Sequence, residues 1–162
     1  MRLSNKNMEK GIDVEKLKTM KEVFEAFNSM YGLPVNQKPT IPDLQRIKDF
    51  KNILTEEVNE VDEIIQIYER KQNNLSKEEK LEILTSLSDW LADMIWYIQS
   101  EAVKYGLDME KTLDIIKGSN FSKLGADGKP IYDERGKVMK GPGFWKPEPK
   151  IKELILNSFE KN

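Results

Sequence analysis

Apolar side chains in residues 13–31 (DVEKLKTMKEVFEAFNSMY) fall at Val14, Leu17, Met20, Val23, Phe24, Phe27 and Met30. Steps of three and four describe one face of an α-helix, with Asp13 placed to cap it and Gly32 to stop it. The next segment, GLPVNQKPTIPD, holds three prolines and reads as an extended connection. A second stripe, Ile47, Phe50, Leu54, Val58, Val61, Ile64, Ile65 and Tyr68, predicts a long helix from about Asp43 to Gln72, broken at Asn73 and Asn74. Ser76-Lys-Glu-Glu79 has the form of a capping box. It opens a helix that runs to Tyr105 and ends at Gly106, and Asp108 caps a shorter one reaching Lys117.

Beyond Gly118 the texture changes. Gly125, Gly128, Gly136, Gly141 and Gly143 punctuate short runs, and DERG (133–136) sits like the turn of a small hairpin. A last amphipathic piece carries Ile151, Leu154, Ile155 and Phe159. Two long helices joined by a short turn argue for an antiparallel bundle. The expected fold is therefore all-α with a small C-terminal β-hairpin, in a single domain over 1–162. Its parts are a helical bundle over 13–117, a Gly/Lys-rich loop and hairpin over 118–147, and a C-terminal helix over 148–162.

Composition narrows the chemistry. The 162 residues contain neither cysteine nor histidine, which removes thiol catalysis, disulfides, thiolate or imidazole zinc sites and His-based triads. Carboxylates, lysines, hydroxyls and hard cations remain. No apolar run has the length of a membrane span, and the first twenty residues hold no signal-like stretch, so a cytoplasmic protein without a membrane partner is expected. The net charge of −2 is unevenly spread. Residues 117–152 hold nine of the 26 Lys/Arg and four of the 28 Asp/Glu, leaving 17 basic and 24 acidic elsewhere. A basic segment beside an acidic body suits either a nucleic-acid arm or a lid over a metal-held anion.

The acids single out one place. At roughly 100° per residue, the stripe of the second helix centres between Glu57 and Val58. Glu57 thus lies inside the apolar edge, Glu60 on its flank, and Glu56 further round but one turn from Glu60. On the third helix, Leu87–Ile98 contains only two charged residues, Asp89 and Asp93, four apart and on one face. Leu84, Leu87, Leu91, Ile95 and Ile98 line the opposite face, while Trp90, Trp96 and Tyr97 flank the aspartates. A helix apolar nearly all round is expected to be buried nearly all round. The bland readings are a snorkelling Glu57 and aspartates buried in salt bridges. Antiparallel packing, however, sets position 58 opposite about position 90 and gathers Glu56, Glu57, Glu60, Asp89 and Asp93. Carboxylates converging without histidine suit Mg²⁺ or Mn²⁺, ions that hold phosphates and generate hydroxide for in-line attack.

These residues resemble the all-α nucleoside triphosphate pyrophosphohydrolases of the MazG and dimeric dUTPase type, above all the phosphoribosyl-ATP pyrophosphohydrolase-like branch. Glu56-Glu57-Val-Asn-Glu60 is similar to the family's E-E-x-x-E, and Asp89-Trp-Leu-Ala-Asp93 to its second acidic motif. The likeness continues through VFEAFNSMYGLPVNQKPTIPD and GSNFSKLGADGKPIYDERGKVMKGPGF, from about residue 20 to 147. The family usually writes its second motif E-x-x-D, which would place an acid at Trp90. Here Asp93 matches, and Asp89 stands one residue off.

The resemblance implies a MazG-like bundle that hydrolyses a nucleoside triphosphate between its α- and β-phosphates. It implies Mg²⁺ on Glu56, Glu57, Glu60 and Asp93, with Asp89 as a further candidate, and Glu57, Glu60 and Lys123 as catalytic groups. Ser119, Asn120, Lys123, Lys137 and Lys140 become the substrate contacts. Phe24, Phe27 and Trp145 are either core or a stacking surface for the base. An assembly of two or four copies is expected, because a lone thin bundle leaves the third helix uncovered. Two other classes stay open: a silent Mg-nucleotide sensor on the same scaffold, and a nucleic-acid binder using 117–152. The second lacks any aromatic–basic interleaving, so no nucleic-acid partner is expected.

Overall fold

The computed structural model describes residues 17–71 and 74–160. They form five α-helices: α1 (Met20–Met30), α2 (Leu44–Lys71), α3 (Lys77–Lys104), α4 (Met109–Phe121) and α5 (Glu148–Glu160). None is long and apolar enough to cross a membrane. The chain groups into two compact units, one containing residues up to 35 with 41–105, the other 36–40 with 106 onward.

The first unit holds α1–α3. Helix α1 begins later than its apolar spacing predicts. Thr19 accepts from the Glu22 N–H and the Glu22 carboxylate accepts from the Thr19 N–H, a full capping box, so Leu17 precedes the helix. The expected Asp13 cap and Val14 lie outside the described residues, as does Asn73. Gly32 stops the helix at φ +66°. Asp43 caps α2 by accepting from the Arg46 N–H at 2.7 Å. Ser76 and Glu79 cap α3 reciprocally as the motif predicts.

Two cross-links fix how α2 meets α3. Arg46 pairs with Glu101, and the Trp90 indole reaches the Glu57 carbonyl. Glu57 lies eleven residues after Arg46, and Glu101 eleven after Trp90. Equal spacing run in opposite directions is the signature of antiparallel rods. Against α3, Phe24 is 1% exposed and packs edge-on to Trp96 at 4.7 Å, and Phe27 meets the same ring at 5.0 Å. Asn28, wholly buried, accepts from the Ser100 hydroxyl at 2.7 Å and donates to the Ser100 and Pro34 carbonyls.

Helix α3 is not covered all round. Leu84, Leu91, Ile95 and Ile98 are 64, 52, 55 and 38% exposed, because its contacts with α1 and α2 occupy other faces. Asp89 and Asp93 are exposed as well, so the expectation of two buried aspartates is not met.

The second unit holds α4 and α5, which pack together. Asp108 caps α4 by accepting from the Lys111 N–H. The helix then runs through Gly118 to Phe121, one turn beyond the expected end at Lys117. Gly118 serves packing: a Cβ there would stand 3.0 Å from the Trp145 ring. The expected β-hairpin does not form as strands among the described residues. DERG does turn, with the Gly136 N–H donating to the Asp133 carbonyl at 3.0 Å, but the pairing stops at one isolated bridge between Tyr132 and Val138. Pro130 has no N–H to extend it, and the Gly141 N–H turns away to the Lys123 carbonyl.

Candidate functional site

In the first unit the site centres on Glu57, 9% exposed on α2. Burial pushes its carboxyl above the ordinary range, and the negative charges of Glu60, Asp93 and Glu56 push the same way. The Tyr97 hydroxyl acts the other way and favours the ionised form. Tyr97 is itself pushed up by the Glu57 charge and by burial. Helix α2 thus sets Glu60 and Glu56, and helix α3 Asp93, within electrostatic reach of Glu57. Asp89 lies with Leu84, Thr85, Ser88 and Ala92 along a shallow groove on α3.

The donor set consists of carboxylate oxygens alone, which fits Mg²⁺ or Mn²⁺. Among the described residues no three Asp or Glu side chains are drawn together tightly enough to grip an ion. Glu56, Glu60 and Asp93 are exposed and keep the rotamer freedom to close on one.

In the second unit, the motif SNFSK (119–123) spans the end of α4. Ser119 is 4% exposed and donates its hydroxyl to the Trp145 carbonyl at 2.9 Å. The Trp145 N–H donates to the Ser122 hydroxyl at 3.2 Å. The two serines therefore clasp the Trp145 backbone, and Ser119 has no hydroxyl facing solvent for a phosphate. Lys123 Nζ donates to Asn120 Oδ1 at 2.6 Å, so these two candidate contacts pair with each other. Lys137 and Lys140 are exposed. The Lys140 ammonium lies 4.6 Å from the centre of the Phe144 ring, and the Gly141 N–H ties this segment to the Lys123 carbonyl at 2.8 Å. Phe24 is core. Trp145 lies between Gly118 and the Lys150 ammonium, 3.9 Å from its ring.

Sequence reasoning treated Trp90 and Tyr97 only as neighbours of the aspartates. Their spacing of seven, two helical turns, was the available signal that both face the same stretch of α2.

No protein-family profile matches the chain, and no curated protein matches it. Among solved structures, it is similar to the "putative NTP pyrophosphohydrolase" of Exiguobacterium sp. 255-15. The two are 22% identical with a TM-score of 0.50, over 90% of this chain and 98% of that one. At that identity the likeness is one of fold: a helical architecture shared over most of both chains.

Proposed function

We propose that the chain is a metal-dependent nucleoside triphosphate pyrophosphohydrolase, cleaving a ribo- or deoxyribonucleoside triphosphate to its monophosphate and pyrophosphate. One contrast carries the reading. Glu101 and Glu57 are both buried among the same helices. Glu101 is met by Arg46 and Lys104, whereas the charges that act most strongly on Glu57 are those of Glu60, Asp93 and Glu56. A buried carboxylate among other carboxylates is costly unless protonated or matched by a cation, and a divalent ion with a phosphate substrate supplies that match. The resemblance of the acidic motifs and the fold shared with the Exiguobacterium protein support the same activity.

Glu56, Glu57, Glu60 and Asp93 hold Mg²⁺ or Mn²⁺, with Asp89 at the edge of the set. When bound, the metal neutralises phosphate charge and lowers the pKa of a coordinated water. Glu57 and Glu60 orient the attacking water toward the α-phosphorus. Lys123, Lys137 and Lys140, with the Asn120 amide, balance the charge that develops on the departing pyrophosphate. Ser119 serves by holding the Trp145 loop. The protein works as a homodimer or homotetramer in the cytoplasm, housekeeping the nucleotide pool.

A panel of nucleoside and deoxynucleoside triphosphates with Mg²⁺ or Mn²⁺, read as pyrophosphate release, tests the reading. Equimolar monophosphate and pyrophosphate, lost in Glu57→Gln, is the expected result. Saturable nucleotide binding with no turnover would make the chain a silent sensor, and neither binding nor turnover would remove the reading.

A further inference from the structure

Helix α3 holds Glu57 at two points. The Trp90 indole N–H donates to the Glu57 backbone carbonyl over 2.6 Å, and Tyr97, two turns further along α3, brings its hydroxyl to act on the Glu57 carboxyl. That carbonyl lies mid-helix, where the N–H four residues on claims one of its lone pairs. The indole takes the other, so its bond adds to the α2 ladder and replaces nothing in it. A backbone tether sets where this turn of α2 sits. A hydroxyl beside the carboxyl restricts where the acid can point.

We infer that Trp90 and Tyr97 are positioning residues for Glu57, jointly aiming its carboxyl toward Asp93 and Glu60. The inference rests on the proposed function, in which Glu57 is a metal ligand. Neither side chain needs to touch metal or substrate to act this way. Partners behind a ligand fix its direction, and losing one typically weakens metal affinity or activity by about 10–100-fold. The competing role is packing, in which the two rings fill space and their polar atoms only find the nearest acceptor.

Phenylalanine separates the two roles, since Tyr97→Phe and Trp90→Phe each keep a ring and delete the donor. The full chain is titrated with Mn²⁺ alone by calorimetry, then assayed for kcat and KM against a nucleotide turned over by the wild type. Each variant is expected to bind Mn²⁺ about 10–100-fold more weakly and to lose kcat by a similar factor. The nucleotide KM should stay within about twofold. The double variant should lose less than the product of the singles, because both act through one carboxyl. Wild-type Mn²⁺ affinity and kcat in both variants, even with a lower melting temperature, would leave only packing and overturn the inference alone. A wild-type chain that neither binds Mn²⁺ nor hydrolyses any nucleotide would overturn the proposed function, and this inference with it.

Discussion

Arg46 grips Glu101 with two nitrogens, Nε at 2.7 Å from one carboxylate oxygen and a terminal nitrogen on the other. The pair joins the first turn of α2 to the last turn of α3. Burial alone would raise the Glu101 carboxyl, but hydrogen bonds from Arg46, Tyr105 and Lys104 outweigh it and hold the group below the ordinary range. Burial and the bond to Glu101 push the Tyr105 hydroxyl up to about 12. Because the folded carboxyl lies below its unfolded value, its stabilisation is complete above the unfolded value and disappears as pH falls through the folded one. Glu101→Gln should lower unfolding free energy at pH 7 by about 2–4 kcal/mol. Urea titrations at several acidic pH values should show a shallower decline for the variant than for the wild type.

Glu57 has the opposite sign. Its folded carboxyl lies above the unfolded value, so ionising it costs the metal-free fold stability as pH rises through that folded value. Glu57→Gln should melt higher than the wild type near neutral pH without metal. It should also lose about 10²-fold or more in turnover with Mg²⁺. Calorimetric melting and a pyrophosphate assay on the same preparation check both halves, and a lower melting temperature would contradict the first.

Asn28 spends its amide on joining α1 to α3. Asn28→Ala leaves the buried Ser100 hydroxyl without its acceptor, at a cost of about 2 kcal/mol. In a chain of this length that is a drop of roughly 4–8 °C in melting temperature.

Gly141 permits a close approach that no other residue tolerates. A Cβ there would fall 2.0 Å from the Leu124 carbonyl oxygen, so Gly141→Ala must push the 137–141 segment off Lys123. Steady-state kinetics should show the nucleotide KM rising about tenfold or more, while Mn²⁺ affinity at Glu57 stays put.

The exposed row Leu84, Leu91, Ile95 and Ile98 is the face a second copy would cover. Light scattering should return at least twice the 18.9 kDa chain mass. Leu91→Glu should lower it toward one chain, since a charge at that centre has no partner.

Helix limits were legible wherever a cap wrote them locally. Ser76 with Glu79, and Asp43, follow from side chains bonding within four residues, and Gly32 and Gly106 end their helices at positive φ. Thr19 with Glu22 was equally local, but the apolar spacing that runs on to Val14 hid it. Gly118 misled because a missing Cβ serves turning and close packing alike, and only the Trp145 ring tells them apart. Glu57 and Asp93 could be drawn together from helical phase and antiparallel register. The Arg46–Glu101 pair could not, since a long-range partner leaves no mark on local spacing. Covalent neighbours also say nothing of what Ser119 bonds, and its hydroxyl is taken by a residue 26 positions away.

The equal eleven-residue intervals between the rungs on α2 and α3 bear on how such a chain can diverge. A residue gained or lost between Arg46 and Glu57 in one helix alone would swing that acid about 100° around its axis and break step with its mate. The same event at the connection between the two helices changes no interval. Lineages carrying this fold should therefore vary in length at the connection and keep the count between rungs constant.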